Sequence, residues 1–179
     1  MFTSVTESCE QAIVDAKGAE LEKFCTNKVY EEVPDEGQKT VGVRWVITKK
    51  IKNTGNVYKA RLVALGYQEK NQSIRSDSPT CSRDSIRMAV TLLQAQHWKL
   101  QHIDVQAAFL QGKHISRTVF IKPPNEAKVS GKLWKLLKCI YGLVDGPRMW
   151  YVELRDTLVE LGVAVSVYDE SFFFLQRND

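Results

Sequence analysis

The sequence has little with which to staple, puncture or anchor a chain. It holds four cysteines and three histidines in 179 residues. Cys9, Cys25, Cys81 and Cys139 contain no C-x-x-C pair, and His97, His102 and His114 are dispersed. That spacing argues against a zinc site. A chain of this length and apparent compartment gives no reason to expect a disulfide framework either. The cysteines are therefore expected to be small buried apolar residues. No apolar run approaches the roughly 18 residues needed to cross a bilayer, so no membrane partner is expected. The first residues, MFTSVTESCEQAIVDAKGAE, are polar and acidic, unlike a secretory signal or a transit peptide. The expected location is intracellular, with cytoplasm and nucleus left open. Charge of one sign is also scarce in excess: 25 Lys and Arg against 21 Asp and Glu give +4, too little to argue for nucleic acid unaided. There is no repeat, low-complexity tract or linker that would split the chain.

What remains is the composition of one soluble globular domain, 44% hydrophobic and 26% charged. Its charge is unevenly placed. Lys49, Lys50, Lys52, Lys59 and Arg61 fall in KKIKNTGNVYKARL with no acid among them, whereas YEEVPDEGQ just upstream is acidic. A solvated hairpin accounts for the basic run as well as a phosphate-binding surface does.

Periodicity predicts a helix over residues 6–25, weakened by Gly18. VGVRWVITKKI and NVYKARLVAL, joined by KNTG, read as a β-hairpin in which Lys59 and Arg61 share a face. A helix is predicted from SRDSIRMAVTLLQAQ, capped by Ser82 and striped by Ile86, Val90 and Leu93. WKLQHIDV, TVFIKPP, LWKLLKCIYGL and SFFFLQ read as strands. DGPRMWYVELRDTLVELGV is the clearest helix, with Pro147 in its first turn and Gly162 at its end. The mixture is α+β.

One stretch raises a chemical question. QHIDVQAAFLQG, residues 101–112, places the lone acid Asp104 at the end of what reads as a buried strand. A carboxylate there costs several kcal/mol unless it is paired, hydrogen-bonded or holding a metal. It caps the Ala-Phe-Leu turn, or it belongs to a site with other members.

YKARLVALGYQE, DVQAAFLQG, VFIKPP and LWKLLKCIYGLVDGPRMWY follow one another in a single order. That series resembles the reverse transcriptase of copia-type retrotransposons, over nearly the whole chain. The resemblance implies a right-hand polymerase, with residues 1–97 and 115–145 as fingers and 98–114 and 146–179 as partial palm. It implies template-directed addition of deoxynucleotides, with an RNA template and a DNA primer as partners. It also implies two magnesium ions held by palm aspartates, because two adjacent divalent ions need shared anionic oxygens. Asp104 matches the first of those aspartates, as catalytic residue and metal ligand. Phe109 matches the aromatic that crowds the sugar 2′ position. Lys59 and Arg61 look like the residues that meet the incoming triphosphate, and YGLVDGPR, with Asp145, resembles the lining of the nucleotide pocket.

Each of these residues also has a plainer reading. Phe109 packs as core, Lys59 and Arg61 are solvated, Asp145 caps the helix that starts at Gly146, and Trp150 and Tyr151 pack on that helix face. The chain departs from the family where Asp145 replaces Gln and Leu65 replaces Lys. The family's adjacent Asp-Asp pair is absent; by family order it would follow FFFLQRND. The expectation is therefore a piece of a larger Pol polyprotein, truncated before the Asp-Asp palm hairpin and inactive alone. The alternative is a repurposed module that binds nucleic acid or a partner without catalysis.

Overall fold

The computed structural model describes residues 3–52, 55–69 and 74–175. Helix α1 (Thr3–Thr26) leads into strand β1 (Tyr30–Pro34), the short β2 (Thr40–Val41) and the long hairpin β3 (Val43–Lys52) and β4 (Gly55–Ala64). After α2 (Arg83–Ala95) come the one-turn α3 (Ala108–Gln111), β5 (Phe120–Ile121), β6 (Lys132–Leu136) and α4 (Gly146–Glu160). A small hairpin, β7 (Ala164–Val165) with β8 (Phe173–Phe174), follows. The mixed helix-and-strand composition is thus observed. The turn of the long hairpin at Asn53 and Thr54 lies outside the described residues, as does the end of SFFFLQ.

Strand β6 organises the core. It pairs antiparallel with both β1 and β5, and β2 adds to β5 in parallel, giving the order β1-β6-β5-β2. Leu133, Trp134 and Leu136 of β6 are buried, and full burial of each leucine is worth about 1.5–3 kcal/mol. Trp134 stacks on Tyr30 at 3.8 Å between ring centroids and meets Phe24 of α1 at 6.3 Å. Lys135 pairs with Glu31 directly across the ladder (2.6 Å), and on the other face Lys132 pairs with Glu32 on the diagonal at the strand's end (2.7 Å). The acidic YEEVP run is thus matched by the lysines of KLWKL.

The β3–β4 hairpin runs in unbroken register from Val43↔Ala64 to Lys52↔Gly55. Ala60, Leu62 and Ala64 turn toward the core, so the alternate residues Lys59 and Arg61 share the opposite face, as the period of two requires. Helix α1 packs along β4. Glu126 fixes that packing: one oxygen accepts from Lys17 Nζ of α1 (2.6 Å), the other from Trp45 Nε1 of β3 (2.9 Å). These donors, Lys17 first, hold the Glu126 carboxyl below the usual range.

Three sequence expectations need correction. WKLQHIDV is not a strand: residues 98–105 are irregular and exposed, with Trp98 64%, Leu100 81% and Ile103 92% accessible. A strand needs a ladder partner for its backbone, and no described strand lies beside this one. Helix α2 forms as expected and Ser82 caps it, its Oγ accepting from Ser85 N–H at 3.1 Å. Its apolar stripe nevertheless finds no cover, and Ile86 and Val90 are exposed. Among the cysteines only Cys139 is buried, while Cys25 is exposed.

The exposed apolar side chains of α2 and of residues 98–105 predict self-association of the 179-residue chain. We expect 1-anilinonaphthalene-8-sulfonate fluorescence and light scattering that rise with concentration, and Leu100→Lys with Ile103→Lys to lower both. A soluble, monodisperse chain would contradict this.

Candidate nucleotide groove

A groove of about 650 Å³ opens between α1, β4 and the segment before α3. Lys59 and Arg61 line it from the hairpin, Asp104 from the irregular segment, Glu20 and Lys23 from α1, and Tyr141 from the loop before α4. Three of the five residues picked out from sequence therefore meet in one concavity. The other two, Phe109 and Asp145, stand behind its wall.

Asp104 is exposed, so the burial cost that a strand would have imposed does not arise. It makes no ion pair among the described residues. Just beyond it the chain turns sharply at Ala107, a left-handed residue (φ 50°) that caps α3. Such a conformation costs a non-glycine residue about 1–2 kcal/mol, and here it aims α3 back into the core. Leu110 is fully buried as a result, and Phe109 is half-buried.

Tyr141, the first residue of the YGLVDGPR stretch, is the hub of the far wall. The Arg61 guanidinium lies 5.6 Å from its ring centroid, and Phe109 meets it edge-on at 5.1 Å. Both are favourable geometries for an aromatic face and edge. Glu20 and Lys23, paired at 3.1 Å, were missed, because a helix face facing a groove has the same amphipathic pattern as one facing the core.

The Tyr141 loop is pressed onto the hairpin. Ala64 N–H donates to the Tyr141 carbonyl at 2.7 Å. A Cβ on Gly142 (φ 88°) would fall 2.1 Å from the Ala64 carbonyl oxygen, and one on Gly66 would fall 2.2 Å from the Gly142 carbonyl oxygen. Glycine is required at both places, because the two backbones occupy the space a side chain would need.

Below this contact lies a buried ionic cluster. Arg117 Nε and Nη2 donate to the two carboxylate oxygens of Asp145 at 2.9 and 2.7 Å. Its Nη1 pairs with Glu69, whose other oxygen accepts from Val144 N–H at 3.2 Å. Asp145 thus occupies the expected position before α4, but its side chain makes no capping hydrogen bond. It faces Arg117 and is not among the residues that line the groove. The guanidinium fork offers two parallel charged donors, more than the helix's first N–H groups could provide. Burial pushes the Asp145 carboxyl up, but the Arg117 hydrogen bonds and charge outweigh it and leave the group below the usual range. Burial, then the Asp145 charge, pushes the Cys139 thiol up to about 12. On α4, Tyr151 is buried and its hydroxyl donates to the Glu170 carbonyl at 3.0 Å, a packing role.

Two divalent ions need several hard anionic oxygens converging on one point. Among the described residues no group of three or more His, Cys, Asp or Glu side chains could hold a metal ion. The carboxylates present therefore do not fit a magnesium pair.

The groove is thus walled by a basic hairpin, an arginine-faced tyrosine and an exposed carboxylate. The model of the reverse transcriptase (RNA-dependent DNA polymerase) family matches residues 27–176, and the chain belongs to that family. It is 37% identical over 172 residues to the retrovirus-related Pol polyprotein from transposon RE1 of Arabidopsis thaliana, covering 92% of this chain and 12% of that protein. The RE2 polyprotein of the same plant is 36% identical over 91% of this chain and 12% of its own length. That of transposon TNT 1-94 from Nicotiana tabacum is 29% identical over 92% and 13%. The chain thus spans about an eighth of the length of these relatives. No solved structure matches it.

Removing Arg117 would leave two carboxylates unpaired in a largely buried site. Arg117→Ala is expected to lower unfolding stability by about 2–3 kcal/mol, less than for a fully buried pair because the guanidinium is partly exposed. Urea denaturation measures it. Asp145 has a depressed folded pKa, so its stabilisation is complete above the unfolded value of about 3.9 and is lost as pH falls through the folded one. Asp145→Asn should therefore lose stability at neutral pH and show a shallower further loss below about pH 4.

Proposed function

We propose that this chain forms the fingers and the first part of the palm of a copia-type RNA-directed DNA polymerase, and that its groove receives the incoming deoxynucleotide. In this reading residues 1–97 and 115–145 are fingers, and 98–114 and 146–179 are partial palm. The observation that carries it is the meeting of Lys59, Arg61 and Asp104 in one groove large enough for a nucleotide. Each basic residue projects from a hairpin whose inner face is fastened to the core, so the cations are held out toward the ligand. Lys59 supplies a point charge and Arg61 a planar fork, a combination suited to a triphosphate. Asp104 is the carboxylate nearest the reacting end. Phe109 bears on the sugar side through Tyr141, which it supports edge-on. The RNA template and DNA primer would lie across the open mouth.

The same reading makes the 179 residues inactive by themselves. Asp104 is one anionic ligand where the reaction needs several, and the sequence contains no adjacent Asp-Asp pair. The chain is then a nucleotide-gripping part of a larger Pol polyprotein.

Two measurements test this. Calorimetric titration with deoxythymidine triphosphate should show binding, weakened about tenfold by Lys59→Ala or Arg61→Ala, the equivalent of about 1.4 kcal/mol for one charged contact. Unchanged affinity in both variants would refute the groove assignment. Primer extension on a primed RNA template with magnesium should give no template-dependent product; product above background would refute the inactivity.

A further inference from the structure

The ionic cluster of Arg117, Glu69 and Asp145 lines no part of the groove, yet it ties together three segments, one of which carries the Tyr141 loop. Glu69 follows the hairpin exit, Arg117 precedes β5, and Asp145 joins the Tyr141 loop to α4. Sequence separations of 28 and 48 positions are closed by single side-chain contacts. The side chains of Glu69 and Asp145 are only 4% and 12% exposed, and that of Arg117 is 24% exposed. With one cation between two anions, the cluster gives the loop a fixed partner on each side. Asp145 leads directly to Gly146, over which Phe109 packs at 3.6 Å from the site of a Cβ. Val144 N–H is tied to Glu69, three residues from Tyr141.

We propose that Arg117 is a positioning residue for nucleotide binding: through Asp145 and Glu69 it sets the Tyr141 ring against Arg61 and Phe109. The inference rests on the reading of the groove as a triphosphate site. The physical reason is that the Gly66–Gly142 backbone contact fixes distance but not rotation. Two carboxylates bound to one planar guanidinium fix the direction of the loop as well. An uncharged partner at 145 keeps the shape but loses the charge-assisted pair.

The test uses the full 179-residue chain carrying 3-fluorotyrosine, with the Tyr141 fluorine resonance assigned by Tyr141→Phe. Asp145→Asn is compared with the unaltered chain by fluorine NMR and by deoxythymidine triphosphate titration. The Tyr141 resonance should shift or broaden while that of Tyr30, stacked in the core, stays in place. The dissociation constant should rise about tenfold, the scale of a small misplacement of a binding group. Arg117→Lys, which keeps the charge but loses the fork, should fall between the two. Glu69→Gln carries the same comparison if Asp145→Asn does not fold. A triphosphate affinity equal to that of the unaltered chain, or an unmoved Tyr141 resonance, would overturn the inference while leaving the groove intact. Absence of binding in the unaltered chain would instead sink the nucleotide reading, and this inference with it.

Discussion

The contact between the hairpin exit and the loop before α4 supports the rest of the groove. Gly66 and Gly142 bring two backbones closer than any side chain would permit, and Ala64 N–H bonds across the gap. The face of β4 that carries Lys59 and Arg61 is thereby set against Tyr141. The charges beside it are paired with one another. Arg117 bonds both oxygens of Asp145 and reaches Glu69. Backbone contact and ion cluster meet at Val144, whose N–H donates to Glu69.

The two halves of the molecule differ in how they are held. The part built on β6 has a stacked aromatic pair, cross-strand ion pairs and a continuous buried core. The part from α2 to Asp104 has none of these. Helix α2 is attached by its N-terminus, where Asp169 accepts from Ser82 N–H (2.8 Å) and Ser85 Oγ (2.6 Å). Its apolar side faces outward, and so do the large side chains before Asp104. Asp104 consequently reaches the groove from the less supported side, while Lys59 and Arg61 reach it from the rigid one. Unevenness of this kind sets which parts of a domain open locally.

Much of this was legible in residue order. The hairpin, the capped helix after Ser82 and the proline-started helix α4 each carry a local signal: alternation, a side-chain acceptor, a fixed φ. The family likeness was legible too, since four ordered motifs do not depend on knowing which residues touch. WKLQHIDV was misread because its composition suits a strand, while strand formation depends on a neighbour that residue type cannot reveal. Asp145 was misread for a similar reason. A residue before Gly-Pro at a helix start is a natural cap, and only the arrival of Arg117 from a distant segment displaces that role.

Sequence by itself determined which residues could bear charge, which segments could become helix or hairpin, and to which polymerase family the chain belongs. These are properties of side-chain chemistry and short-range periodicity. Tertiary structure alone decided that Tyr141 and Glu20 share a groove with Lys59 and Asp104, and that Asp145 serves Arg117 behind its wall. It also decided that the apolar side of α2 goes uncovered among the described residues. Long-range pairings arise where separate segments fold against one another, and no local pattern encodes the distance between them.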